Sequence, residues 1–278
     1  MAKTWFITGA SRGLGLELTR SALRNGDRVV AAARNPTSIA EALGPDSDTL
    51  LAVTLDVTDI AQVQPAIDAA LGRFGAIDVL VNNAGYGHLG FFEETSAADV
   101  KAQFATNLFG AFDVTRAALP SMRAARKGLI YNVSSTGGLS GNELASLYCA
   151  SKFALEGFSE SLAKEVAPFG ISITIVEPGP FRTDFLTPES IRFEGAPIAD
   201  YAERRALLES SFKQRDGSQP GDPVRLADAL VRLADEKTPP MRFLAGAVAQ
   251  ETAAAKLASL HGDFDTWRAV SLATDYPA

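Results

Sequence analysis

Short runs in which nearly every position is apolar alternate along this chain with longer stretches in which apolar residues recur every three or four positions. The first pattern predicts strands buried on both faces, the second amphipathic helices. Thr4–Thr8 reads as a strand running into Gly9, and Leu14 to Arg24 as a helix ended by Asn25-Gly26. Arg28–Ala33 is a second strand, and Asn35-Pro36 supplies an N-cap and first-turn proline for a short helix. Leu50–Val57 is the third strand, Thr58 caps a helix to about Phe74, and Ile77–Asn82 is the fourth strand. Ser96 and Asp99 form a capping pair for a long helix that Pro120 kinks or divides near its end. Gly128–Ser134, a helix over Leu147–Val166 and Ile171–Glu177 continue the alternation.

Strands alternating with helices of this length predict an α/β fold, a doubly wound parallel sheet covered on both faces. Past Glu177 the rhythm breaks. A Pro-, Gly- and Ser-rich segment to about Gly221 holds one loose helix, Tyr201–Phe212, as a lid or binding loop does. Asp222-Pro223 opens a helix to about Asp235, Arg242–Ala245 is a last strand, and an alanine-rich helix lies near Gln250–Leu260. Residues 1–278 are expected to form one domain, with a core over 1–184 and a substrate loop and C-terminal elaboration over 185–278. Trp5 and Trp267 read as core anchors.

Thr8-Gly9-Ala10-Ser11-Arg12-Gly13-Leu14-Gly15 sets three glycines where the first strand meets the first helix. Glycine permits the tight turn and close backbone approach that a pyrophosphate needs, and the helix N-terminus offers it free N–H groups. This makes the sheet a Rossmann fold. The second strand ends at Ala33-Arg34, without the acidic side chain that ordinarily holds the ribose hydroxyls of NAD. Arg34 and Arg12 suit a 2′-phosphate instead, so NADP(H) is the expected cofactor and NAD(H) the alternative.

Tyr148 and Lys152 lie four apart and share a helix face, and Ser135 closes the fifth strand thirteen residues before Tyr148. Ser134 is its rival, but alternation along a strand points the two in different directions. Asn82-Asn83-Ala84-Gly85 ends the fourth strand at the same sheet edge, and Asn107 sits within the long helix that follows.

Taken together, Thr8-Gly-x-x-x-Gly13-x-Gly15, Asp56-Val57, Asn82-Asn83-Ala84-Gly85, Asn107, Ser135, Tyr148-x-x-x-Lys152 and Pro178-Gly179 resemble the short-chain dehydrogenases/reductases over Thr4 to about Thr183. The run Val176-Glu-Pro-Gly-Pro-Phe-Arg-Thr-Asp184 is similar to a bacterial branch whose relatives include hydroxysteroid and retinol dehydrogenase-like enzymes. The resemblance implies that Tyr148 is the general acid of reduction and base of oxidation, and that Lys152 favours its phenolate and bonds the nicotinamide ribose. Ser135 would orient the carbonyl, and Asn107 would hold a water linking Lys152 to solvent. Cofactor contacts would come from Gly9, Ser11, Arg12, Gly13, Leu14, Gly15 and Arg34 on one side. Asp56 and Val57 would meet adenine, with Asn82, Ala84 and Gly85 nearby. Pro178, Gly179, Phe181 and Thr183 would hold the nicotinamide end. The substrate would be a small carbonyl or alcohol compound, and Phe181, Phe185, Leu186 and Phe193 predict an apolar pocket for it. A homodimer or homotetramer is implied. A cofactor-binding sensor or scaffold without turnover is the competing reading, weakened because all four reacting-site residues are present.

Composition narrows the field further. A formal net charge of −7 argues against a broad basic surface for nucleic acid or anionic membrane. No apolar run reaches membrane-spanning length, and the N-terminus lacks a signal-peptide core, so a cytoplasmic protein is expected. The single Cys149 cannot form an intrachain disulfide and reads as packing. His88 and His261 stand apart with no ligand-spaced cluster, so no metal is expected, and His88 reads as an exposed loop residue.

Overall fold

A computed structural model describes residues 2–187, 190–193 and 195–276. Nine strands are described: β1 (Thr4–Thr8), β2 (Arg28–Ala33), β3 (Leu50–Thr54), β4 (Val79–Asn82), β5 (Gly87–Leu89), β6 (Gly128–Val133), β7 (Ile171–Pro178), β8 (Ile191–Phe193) and β9 (Arg242–Ala245). The α-helices are α1 (Gly13–Arg24), α2 (Thr37–Leu43), α3 (Ile60–Phe74), α4 (Ala97–Phe104), α5 (Gly110–Ala125), α6 (Ser146–Val166), α7 (Ala202–Arg215), α8 (Pro223–Leu233) and α9 (Ala247–Leu272).

Seven strands make one parallel sheet in the order β3-β2-β1-β4-β6-β7-β9. The order reverses between β1 and β4, which opens a crevice at the carboxyl ends of those strands. Period-two alternation sorts β1 between two cores. Trp5 and Ile7 pack on one face with Leu18 of α1 and Leu226 and Leu230 of α8. Phe6 packs on the other with Ile67 of α3, Val114 of α5 and Leu162 of α6. Both faces are apolar because both are covered, as the unbroken apolar runs predict.

Local chemistry moves several boundaries. β3 ends at Thr54, and the helix after it is capped by Asp59, which accepts from the Ala61 N–H. Thr58 is not the cap: it lies one residue before it and donates its N–H and hydroxyl to Asp56 Oδ1. Pro36, not Asn35, occupies the cap position of α2, and Asn35 reaches past it to the Thr37 N–H at 3.0 Å. Pro120 does not divide the long helix, which runs through it to Ala125. The interruption lies earlier, in a π-helical turn over Ala105–Phe109 that separates α4 from α5.

β5 and β8 form a small parallel two-stranded sheet that no sequence run announced. His88 lies in β5 and is 2 % exposed, so it is a buried strand residue and not an exposed loop one. α9 extends to Leu272, twelve residues past its expected end at Leu260, and Trp267 on it is 63 % exposed. Trp267 is therefore no core anchor, whereas Trp5 is fully buried with its indole N–H on Asp27 at 3.0 Å. No helix among the described residues is long and apolar enough to cross a membrane.

Candidate active site

Thr8, the last residue of β1, starts the site. Its hydroxyl donates to the Val81 carbonyl at 3.2 Å and accepts from the backbone N–H groups of Asn83 and Ala84, each at 3.0 Å. Asn83 returns its side-chain amide to the carbonyls of Thr8 and Gly9, at 3.0 and 3.1 Å. The glycine loop is thus tied to the end of β4 across the sheet reversal. Gly15 permits that approach, since a Cβ there would lie 2.3 Å from the Gly9 carbonyl oxygen and 2.6 Å from the Asn83 amide nitrogen. Gly9 and Gly13 have φ of +66° and +54°, a backbone region that favours glycine. No side chain caps α1 and no acid stands in its first turn, so its leading N–H groups present positive potential to the crevice. An anionic pyrophosphate fits this cradle.

A cavity of about 1170 Å³ runs from this loop across the sheet edge. Gly9, Ser11, Arg12, Gly13 and Leu14 line one end with Arg34, Asp56 and Val57. Ala84, Gly85, Ser135, Tyr148 and Lys152 line the middle, facing Pro178, Gly179, Phe181 and Thr183. Its far end sets the apolar Leu89, Ala145, Phe185, Leu186, Ile191 and Phe212 beside Asn142, Glu143, Arg192 and Arg215. Three expected site residues are not in its wall. Gly15 packs beneath the loop, Asn82 turns inward to Thr115 and Asn132 at 2.8 Å each, and Asn107 stands behind Gly85. Asn82, expected among the cofactor contacts, is instead a buried bracing residue, and its neighbour Asn83 braces the glycine loop. Alternation at the end of β4 was the available signal.

Ser134 and Ser135 diverge as strand geometry requires. The Ser134 hydroxyl donates inward to Glu156 at 2.7 Å, while Ser135 borders the cavity against Tyr148. Gly137 makes room for the Tyr148 ring, because a Cβ there would lie 3.0 Å from Tyr148 Cε1. Burial pushes the Tyr148 phenol up to about 12, with the Ser135 hydrogen bond opposing and Cys149 reinforcing the shift. Lys152 is 5 % exposed, donates to the Val133 carbonyl at 2.7 Å, and its Nζ lies 5.8 Å from the centre of the Tyr148 ring. Burial lowers its ammonium to about 8 and Glu156 opposes that.

The π-turn gives Asn107 its place. Asn107 Oδ1 accepts from the Tyr86 N–H at 3.1 Å, and Nδ2 donates to the Tyr86 carbonyl at 3.0 Å and to Ser151 at 3.2 Å. Ser151 in turn donates to the Tyr148 carbonyl at 2.7 Å. A Cβ on Gly85 would lie 3.2 Å from Asn107 Oδ1 and 3.6 Å from Lys152 Nζ, so both side chains converge behind that glycine. Cys149 is buried and packs against Leu89, Ala145 and Ile191. Among the described residues no three His, Cys, Asp or Glu side chains gather as round a metal ion.

With this geometry the comparisons with known proteins agree. The family profile described as short chain dehydrogenase matches residues 3–192. The chain belongs to the short-chain dehydrogenase/reductase family. Oxidoreductase BOA17 of Botryotinia fuckeliana is 39% identical over 99% of this chain and 100% of its own length. Retinol dehydrogenase 8 of Bos taurus is 36% identical over 86% of this chain and 80% of its own. A short-chain dehydrogenase structure from Streptomyces avermitilis superposes with a TM-score of 0.90 at 38% identity, covering 99% of this chain and 98% of that one. The chain is accordingly an oxidoreductase acting with NAD(P). Solved relatives hold either form of the cofactor. One from Burkholderia phymatum carries NAD (25% identity, TM-score 0.79, 95% of each chain), and ElxO carries NADP (30%, 0.71, 86% of this chain and 94% of that one).

Proposed function

We propose that this protein is an NADP(H)-dependent reductase of small apolar ketones or aldehydes, with Asn107, Ser135, Tyr148 and Lys152 as its reacting-site residues. The observation that carries the reading is the convergence of Ser135, Tyr148 and Lys152 on the wall of one cavity that continues into the glycine loop. Bound NADPH supplies the hydride. Tyr148, a phenol at neutral pH, gives its hydroxyl proton to the oxygen of the carbonyl being reduced. Ser135 aims a hydroxyl at the same oxygen as charge develops there. Lys152 stabilises the phenolate left on Tyr148 and bonds the nicotinamide ribose. Asn107 keeps a lone pair on Oδ1 for a water that relays protons between Lys152 and solvent. Arg12 and Arg34 would receive the 2′-phosphate at a β2 end that carries no carboxylate, while Asp56 and Val57 would meet adenine. Pro178, Gly179, Phe181 and Thr183 would border the nicotinamide.

The apolar cluster beside Tyr148, whose ring centre lies 5.7 Å from that of Phe185, favours a hydrophobic substrate. We also infer a homodimer or homotetramer. Phe109 and Phe153 are 53 % and 42 % exposed beside the two long helices of the site, and α9 exposes Leu257, Phe264, Trp267 and Val270 by 60 % or more.

Paired titrations of NADPH and NADH, read by energy transfer from protein to nicotinamide, test the cofactor assignment. NADPH binding at least ~10-fold tighter supports it, and preference for NADH overturns it. A screen of apolar ketones and aldehydes then follows NADPH consumption. Tight binding with no turnover of any of them would favour a sensor or scaffold.

A further inference from the structure

Behind the site, α6, β7, β9 and the end of β6 are fastened together by one partly buried cluster of charges. Glu156, 5 % exposed, follows Lys152 by one turn of α6. Its Oε1 accepts from the Ser134 hydroxyl at 2.7 Å, and its Oε2 from Arg242 Nη1 at 2.7 Å. Arg242, on β9, also donates to Glu177 on β7 and to Glu160 on α6. Glu177 is fully buried and directly precedes Pro178-Gly179. Gly138 leaves the space, since a Cβ there would lie 2.0 Å from Glu156 Oε1 and 2.4 Å from Ser134 Oγ.

Burying the two carboxylates of Glu156 and Glu177 beside one guanidinium, with the half-exposed Glu160 at its edge, costs more than an apolar plug of the same volume would. What the charges add is a field and a direction, and both act on the site. Ser134 is fixed by Glu156, and its neighbour Ser135 is thereby aimed into the cavity. The carboxylate of Glu156 also faces Lys152 along one helix side, where it opposes the burial that strips Lys152 of its proton. Arg242 keeps Glu156 in its rotamer and moderates its charge.

We propose that Glu156, clamped by Arg242, is a positioning residue for hydride transfer that holds Lys152 as an ammonium and aims Ser135 through Ser134. This rests on the assignment of Lys152 and Ser135 to the reaction. The groups facing Glu156 are Ser134 just past β6, Lys152 and Glu160 from α6, Glu177 from β7 and Arg242 from β9. Removing a negative charge from this set lowers the pKa of every group it touches, and removing the positive charge raises them. The alkaline limb of kcat, which belongs to the Tyr148–Lys152 pair as a unit, reports the change.

The experiment compares Glu156→Gln, Glu156→Asp and Arg242→Gln with the parent, using full-length protein, NADPH and the best ketone of the screen, from pH 6 to 10. Glu156→Gln is expected to keep the NADPH Kd within ~3-fold, to lose about 10-fold in kcat at pH 7.5, and to move the alkaline limb down by roughly one pH unit. Glu156→Asp should return the limb toward the parent, and Arg242→Gln should move it upward. A general loss of packing does not produce shifts of opposite sign, and where one variant folds poorly the direction of the other's shift, read beside Glu156→Asp, decides the case. An unmoved limb in both Glu156→Gln and Arg242→Gln overturns the proposal. Tyr148→Phe is the control: if it turns over like the parent, the site assignment fails, and if it is inactive while the limb stays put, only the role of Glu156 fails.

Discussion

Tyr148 faces the cavity as a phenol. Burial holds it there, and the same burial draws Lys152 down to about 8, so the two groups, nearly matched in proton affinity as free side chains, are driven apart, with Lys152 the first to lose its proton. Reduction needs the proton on Tyr148, and kcat for carbonyl reduction should be flat near neutrality and fall as pH rises past about 8, where Lys152 loses its charge. A stopped-flow pH profile checks this, and a rate that climbs through pH 8–9 would contradict it. Glu177 makes a second prediction. Burial, with Glu156 adding and Arg242 opposing, raises it to about 7, above the value of an unfolded glutamate. Its contribution is therefore fully present below about pH 4.5 and is lost as pH rises through about 7, because the unfolded chain releases that proton first. Glu177→Gln should accordingly gain thermal stability relative to the parent at pH 8 compared with pH 5, and melting curves at the two values measure it. Single residues were the most legible level where motif and spacing agreed, as for Ser135, Tyr148 and Lys152. They were least legible where a neighbour of like chemistry competes. Asn82 and Asn83 are both amides, and only the facing of β4 decides which one turns inward to Thr115 and which one braces the glycine loop.

At the scale of elements, alternation of apolar runs with helical periodicity carried the parallel sheet, because strands buried on both faces leave an unmistakable pattern. The π-turn at Ala105–Phe109 left none, since one extra residue in a helix changes no composition and proline drew attention to Pro120 instead. The β5–β8 pair was equally silent. Each strand has three residues, and their register of Gly87 with Ile191 joins segments about a hundred positions apart. Glycine spacing, by contrast, had direct structural content. Gly15→Ala drives a methyl group against the Gly9 carbonyl and the Asn83 amide, and should cost about 1–3 kcal/mol of stability as overpacking does. It should also weaken NADPH binding at least ~10-fold by displacing the loop. Urea denaturation with and without NADPH separates the two effects, and a variant with parental stability and affinity would refute the close-packing account.

Over the whole molecule, burial was the property the sequence could not supply. His88 and Trp267 were each placed on the wrong side of the surface, the first because a short strand enclosed it, the second because α9 carries it clear of the sheet. The exposed side chains of α9 include the apolar Leu257, Phe264, Trp267 and Val270, and exposed apolar clusters mark surfaces of association. Trp267→Glu should therefore lower the association state seen by analytical ultracentrifugation while leaving the cofactor cavity unaltered, and an unchanged sedimentation coefficient would remove α9 from the subunit interface. The proposed chemistry of the molecule turns on Tyr148. Parent and Tyr148→Phe should be compared in NADPH-dependent reduction of the same apolar ketone, with the NADPH Kd measured on both. A fall in kcat of about 10²–10⁴-fold with the Kd unchanged is predicted, as the loss of a positioned acid requires. Turnover within a few-fold of the parent would contradict the proposed chemistry at its centre.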